Sequence, residues 1–227
     1  MPRFPVGGPV NTASELTGSN HVAIDFRKLN CAACTAGALT GKTSGIVVAQ
    51  VFGSLAKPKK TVAGYEPDIA FTMLGNERRN AKGKGPKFQP PAQNPGQSDY
   101  QYSLTVAAVA EESGLHTQIK ALKRWVLGQR GGRCDEHGSV QGLILFPAAQ
   151  DWMTRKPSGT EFAVYFTSMA APTPGHWVYA ENRGHTVEFV DYQQFLTAAN
   201  RPHATKYPSC MGNSAPDAKM LVLAFSP

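Results

Sequence analysis

The chain has 227 residues, of which 41% are hydrophobic and 17% charged. That composition excludes an intrinsically disordered chain and supplies enough apolar material for one well-cored domain or two small ones. Lys and Arg number 23 against 16 Asp and Glu, a formal net charge of +7, which fits plain solubility or a partner with an acidic surface. No apolar run approaches the roughly 20 residues of a membrane span.

In chain order, Met1 to Gly8 lacks the apolar core of a Sec signal, so export is expected to use another route or to follow cleavage from a larger chain. Residues 1–20 are rich in Gly, Pro, Ser, Thr and Asn and read as a loose lead-in to a single domain over 21–227. His21 to Leu29 is a short strand or an irregular approach. Asn30 is a good N-cap, because its side chain accepts from an orphan N–H of the first helical turn. Cys31 falls at the first helical position, where the dipole and the unpaired N–H groups favour thiolate. Cys34 lies one turn on, on the same face. The small residues between and after them suit a closely packed helix ending near Leu39, with Gly41 as its stop. Ile46 to Leu55 reads as a further helix.

Residues 75–101 read as a long exposed loop rich in Pro, Gly, Gln, Asn and Lys. Lys57, Lys59, Lys60, Arg78, Arg79, Lys82, Lys84 and Lys87 place eight of the 23 basic residues within 31 positions. Lys82, Lys84 and Lys87 are the candidate partner-docking residues. Helices are expected over Ser103–Glu112 and Leu115–Leu127, broken at Ser113-Gly114. In the second, Ile119, Leu122, Trp125 and Val126 share a face. Residues 128–138 read as a turn region. Strands follow over Val140–Phe146, Glu161–Thr167, Trp177–Glu181, Thr186–Asp191 and Met220–Phe225, with a short helix over Gln193–Ala199. Helices first, then mainly antiparallel strands, is an α+β pattern.

A nucleophilic cysteine needs a base, and the base an orienting group. If Glu181 and Thr186 flank a loop of Asn182 to His185, His176 stands directly opposite Asp191, Val178 opposite Phe189 and Ala180 opposite Val187. That face is apolar except for His176 and Asp191 at its end. The other carries Tyr179, Glu181, Thr186 and Glu188. The pairing suits His176 Nδ1–H donating to Asp191, with Nε2 left for a thiol. The bland alternative is an ordinary cross-strand pair.

Three blocks, Asn30-Cys31-x-x-Cys34, Gly175-His176-Trp177-Val178 and Phe189-Val190-Asp191-x-Gln193, resemble the papain-fold bacterial toxins. These are cysteine-dependent effector domains, several of which deamidate glutamine in target proteins. The resemblance implies a papain-like α+β fold, with an N-terminal catalytic helix packed on a mainly antiparallel sheet and the 75–101 loop as an insertion. It implies Cys31 as nucleophile, His176 as base and Asp191 as orienter, with Asn30, Trp177 and Gln193 in support. Cys34 is the rival nucleophile. It further implies a secreted or delivered toxin of interbacterial competition, a protein substrate attacked through a thioester, a cognate immunity protein as partner, and no cofactor or metal. The expected activity is hydrolysis of amide carbon–nitrogen bonds, with glutamine deamidation first and thiol protease or peptidoglycan amidase as alternatives. A basic protein- or nucleic-acid-binding module is the alternative of another class.

Other readings carry less. Cys31-x-x-Cys34 permits a thioredoxin-like redox pair, but no Trp precedes it and no Gly-Pro lies within it. Ala36 to Thr43 imitates a phosphate-binding loop without its first glycine. Cys134 and His137 are half of a zinc site, and Cys134 and Cys210 a candidate disulfide. His21, His116, His137, His185 and His203 read mostly as surface residues.

Overall fold

The structure is a computed structural model that describes residues 31–42, 47, 92–97, 99–167, 175–192, 205–206 and 218–227. Its elements are α1 (Cys31–Thr40), α2 (Asp99–Arg130), β1 (Arg133–His137), β2 (Ile144–Leu145), α3 (Phe146–Thr154), β3 (Glu161–Thr167), β4 (His176–Asn182), β5 (Val187–Asp191), β6 (Thr205–Lys206) and β7 (Lys219–Ser226). The class is α+β, with the strands in one antiparallel sheet of order β1-β7-β3-β4-β5-β6; β2 pairs with β7 beside β1. Among the described residues no helix is long and apolar enough to cross a membrane.

Strand alternation sorts the sheet into two cores. Phe162, Val164, Phe166, Val178, Ala180, Val187, Phe189, Met220, Val222 and Ala224 face α3, which buries Phe146, Ala149 and Met153 against them. Ala163, Tyr165, Trp177, Tyr179, Val190, Tyr192, Leu221, Leu223 and Phe225 face α1 and α2. With both faces covered, β3, β4 and β7 read as near-continuous apolar runs. That is why their expected bounds lie within a residue of those observed.

α1 is buried on nearly every side: Cys31, Ala32, Cys34, Thr35, Ala36, Ala38 and Leu39 all lie inside. Small side chains let it lie directly on β4 and β3 and against α2. It ends as expected. Gly41 has φ +69° and the Lys42 N–H donates to the Gly37 carbonyl at 3.0 Å, the six-to-one bond of a Schellman cap.

α2 runs unbroken through Ser113-Gly114, where two helices were expected. A mid-helix glycine costs only about 1 kcal/mol relative to alanine. The stripe Leu115, Ile119, Leu122 and Val126, buried on the α1 side, outweighs it; Trp125 is half-buried. Two further corrections concern the segment after α2. Residues 133–137 form a strand and not a turn, and its charged sequence Arg-Cys-Asp-Glu-His suits the sheet edge it occupies. Of Val140–Phe146 only Ile144–Leu145 is strand. Phe146 opens α3, whose start is marked by Pro147 in its first turn.

Asp99 to Gln101, at the end of the expected loop, already belong to α2. Residues 92–96 are exposed, and Gln97 Nε2 donates to Thr105 Oγ1 at 3.0 Å. The rest of the basic segment with Lys82, Lys84 and Lys87, the expected elements at His21–Leu29 and Gln193–Ala199, and Asn30, Gln193, His21, His203 and Cys210 lie outside the described residues. So does the expected Ile46–Leu55 helix except for Val47, which is buried in the α1-side core.

Candidate active site

The β4–β5 hairpin is tighter than expected. Tyr179 pairs with Val190, Ala180 with Phe189, Glu181 with Glu188 and Asn182 with Val187. The Arg183 N–H donates to the Thr186 carbonyl at 2.8 Å, so the loop is only Gly184-His185. Gly184 has φ +102° at the first central position, where a II′-type turn requires glycine. A two-residue turn of that hand matches the strand twist, and it shifts the pairing by two residues from the expected register.

A shift of two preserves which residues share a face. His176 and Asp191 therefore remain on one face but stand diagonally, not directly opposite. Diagonal neighbours are about 7–8 Å apart at the backbone, and the far nitrogen of the imidazole spans that gap. His176 Nε2 lies 2.7 Å from Asp191 Oδ2. A carboxylate only accepts, so Nε2 carries the hydrogen. This reverses the expected nitrogen assignment: Nδ1, the ring atom nearer the backbone, is the one Asp191 does not take. The His176 ring also meets the Phe166 edge at 5.5 Å between centroids. Its side chain is 24% exposed and that of Asp191 12%, so the dyad sits at the rim of a buried face.

The backbone on either side of His176 is fixed from the opposite face. A Cβ at Gly175 would fall 2.1 Å from Cζ and Oη of Tyr165, so only glycine allows this approach. Trp177 is wholly buried, its ring 5.3 Å from that of Tyr165, and its indole N–H donates to Gln118 Oε1 at 3.0 Å. Trp177, expected in support of the site, is thus a core residue behind His176.

Cys31 and Cys34 are both thiols and both buried, 3% and 1% exposed, in the cluster that also holds Trp177, Tyr179 and Tyr192. Cys31 is the first residue of α1 and Cys34 lies deeper. Because His176 points to the α3 side and α1 covers the other, any route between α1's N-terminus and the imidazole runs around the end of β4.

At the other end of β4 a charged network closes the same layer. Glu161 and Glu181 are direct cross-strand partners, and both are buried. The Tyr179 hydroxyl lies 2.9 Å from Glu161 Oε1 and 3.0 Å from Glu181 Oε2. Burial and these two carboxylates push the Tyr179 pKa well up, which keeps it a donor. Arg130 pairs with Glu161 at 2.5 Å and donates to the Leu39 carbonyl at 3.1 Å; Arg183 pairs with Glu181 at 3.0 Å. The more polar face of the hairpin is therefore buried at Tyr179 and Glu181 and opens toward Thr186 and Glu188, with Arg183 shared between Glu181 and Glu188.

Cys134 and His137 do not form a metal pair. Three apart on β1, they point to opposite faces: Cys134 packs against the α1-side core, and His137 stacks on Trp152 at 4.8 Å. Among the described residues no group of three or more His, Cys, Asp or Glu is placed to hold a metal ion. Cys134 is a thiol whose pKa burial pushes up to about 12. His116 and His185 are exposed.

Sequence reasoning missed Gln118, Tyr165 and the Glu161–Arg130 pair. Gln118 did leave a signal, as a polar residue at the buried i+3 position of the stripe Leu115, Leu122. Compared with known proteins, the chain matches no family model and no curated protein.

Proposed function

We propose that the protein is a cysteine-dependent amide hydrolase in which Cys31 is the nucleophile, His176 the base and Asp191 its orienter, within a papain-like arrangement. The observation that carries this reading is the 2.7 Å bond between His176 and Asp191 at the start of β4, the strand on which the Cys31 helix lies. The lengths of the two elements support it. Arg130 ties Leu39, near the C-terminal end of α1, to Glu161, the partner of Glu181. From Leu39 back to Cys31 is about 12 Å of helix, and from Glu181 back to Trp177 about 13 Å of strand. A helix of that length, if it runs along β4 from that tie, reaches the level of Gly175-His176-Trp177.

In the reaction the Cys31 thiolate attacks a carboxamide carbon, forming the C–S bond. His176, as imidazolium, passes its Nδ1 proton to the nitrogen as the C–N bond breaks, and ammonia or amine leaves. The same nitrogen then takes a proton from water as its oxygen attacks the thioester, and the thiol is returned. The Cys31 backbone N–H, at the positive end of α1, suits the developing oxyanion. Asp191 fixes the tautomer in which Nδ1 carries the lone pair for this work. The substrate is a glutamine side chain of a target protein, and the setting a delivered toxin with an acidic immunity partner; the sequence resemblance and the net charge of +7 support these.

Intact-mass measurement of candidate target proteins tests this directly. Deamidation makes a target heavier by the difference between OH and NH2, with no change in chain length. Fragments would redefine the enzyme as a thiol protease. An effect that survives Cys31→Ala would make the protein a binding module.

A further inference from the structure

Gln118 is the anomalous residue of the α1-side core. It is fully buried among Leu115, Ile119 and Leu122, and its Oε1 accepts from Trp177. Its Nε2, with two N–H donors, has no partner among the described residues. A buried donor without an acceptor costs about 1–3 kcal/mol, whereas replacing both members of a buried polar pair by apolar groups of the same shape is nearly neutral. Gln118 with Trp177 is thus a poor way to stabilise this core. What a directional bond gives, and an apolar contact does not, is a single orientation of the indole.

That orientation matters because of where Trp177 sits. It follows His176 directly, and its ring shares Tyr165 with Gly175 on the other side of His176. Gly175 and Trp177, the two neighbours of His176, are therefore both seated from the α1 face, while the imidazole projects from the opposite face. There it meets Phe166 and Asp191 and is a quarter exposed. The far end of the indole is tied to α2 by Gln118.

We propose that Gln118 is a positioning residue for His176: by fixing the indole of Trp177 it sets the backbone at the start of β4 and so holds the imidazole on Asp191. Its consequence for turnover rests on the catalytic reading above, but its effect on the imidazole does not.

The test reads the His176 ring by nitrogen–proton spectroscopy, with melting temperature alongside, in the full chain. The wild type should show the Nε2–H tautomer with a proton protected by Asp191. Gln118→Met removes the acceptor and the orphan donor together. It trades the unmatched amide donors for an unmatched indole N–H and should melt close to the wild-type temperature, while the His176 Nε2 proton exchanges with water about fivefold faster, the equivalent of one ordinary hydrogen bond. Gln118→Glu keeps an acceptor for the indole, and should lower the melting temperature yet retain the protected proton. Trp177→Phe keeps an aromatic ring without the N–H; it leaves a cavity and an unmatched Gln118 amide and should melt below the wild type, but its His176 proton should lose protection beyond what that fall accounts for, which preserves the test if Gln118→Met folds poorly. A protected His176 proton in both Gln118→Met and Trp177→Phe would overturn the proposal. So would loss of protection in Gln118→Glu, or losses that merely follow the fall in melting temperature. A Cys31 that proves unreactive in the wild type would sink the catalytic reading and leave this result standing.

Discussion

The two ends of β4 are built on opposite plans. At the Asn182 end nearly every polar group is answered. Glu161 and Glu181 share Tyr179 and each has an arginine, and the Asn182 amide lies 3.1, 3.1 and 2.6 Å from the carbonyls of Met153, Thr154 and Lys156. At the His176 end an imidazole stands partly in solvent against the Asp191 carboxylate, and behind it the buried Gln118 amide nitrogen has no partner among the described residues. A closed network fixes one end of the α1–β4 layer, and the other end carries the groups that can act on something else. Departures from full satisfaction of this kind concentrate where structure serves function.

The largest expected effects are those on the proposed chemistry. Cys31→Ala should abolish turnover while the melting temperature stays close to wild type, since alanine is already common along α1. Asp191→Asn replaces the charge by an amide that can select the wrong tautomer, and by analogy with other triads turnover should fall by up to about 10⁴-fold. Glu188→Gln, on the other face of β5, is the control and should cost little. Near-wild-type turnover in Asp191→Asn would break the contrast between the ends, and a collapse in stability would make Asp191 a structural residue.

The closed end should respond the other way round. Arg130→Met leaves the Glu161 carboxylate buried without its cation, and uncompensated buried charges of this kind cost about 3–5 kcal/mol. Urea denaturation should show that loss, while the Cys31 alkylation rate of the folded fraction stays within a factor of two or so, as for a site outside the network. Gly175→Ala is intermediate, since the added methyl group collides with Tyr165 and such overpacking costs about 1–3 kcal/mol. Its diagnostic is a loss of activity larger than the accompanying fall in melting temperature.

The smallest effect is a pH dependence at the far edge of the sheet. Burial first, then Arg155 and Lys156, depress the His137 pKa. A depressed histidine binds its proton less readily folded than unfolded. Stability should therefore be complete above the ordinary histidine range and fall as pH drops through about 6.5. His137→Phe, which keeps the stack on Trp152, should flatten that slope in melting temperature.

Much of this was legible in the sequence. The cap at Gly41, the α+β order, and β3, β4, β5 and β7 within about a residue of their ends all followed from apolar patterning and turn chemistry. So did the face shared by His176 and Asp191, because side-chain alternation survives a register error of two. The register itself differs: a loop of Asn182 to His185 is expected, whereas Gly184-His185 alone satisfies a two-residue primed turn. The nitrogen assignment fell with the register, since it depends on distance and not on face. The edge strand β1 escaped because charge on an edge is camouflage. The Gln118–Trp177 and Arg130–Glu161 contacts, 59 residues apart in one case, are tertiary, and local pattern marks only the odd polar residue that makes them.

The proposed chemistry depends on His176, held by Asp191, activating Cys31. The rate of carboxymethylation of each cysteine at pH 6.5, in the wild type and in His176→Ala, tests it most directly. Cys31 should be modified first, ahead of Cys34 and far ahead of Cys134, whose pKa burial pushes up to about 12, and His176→Ala should remove the advantage. Faster modification of Cys34, or a Cys31 rate indifferent to His176, would contradict it.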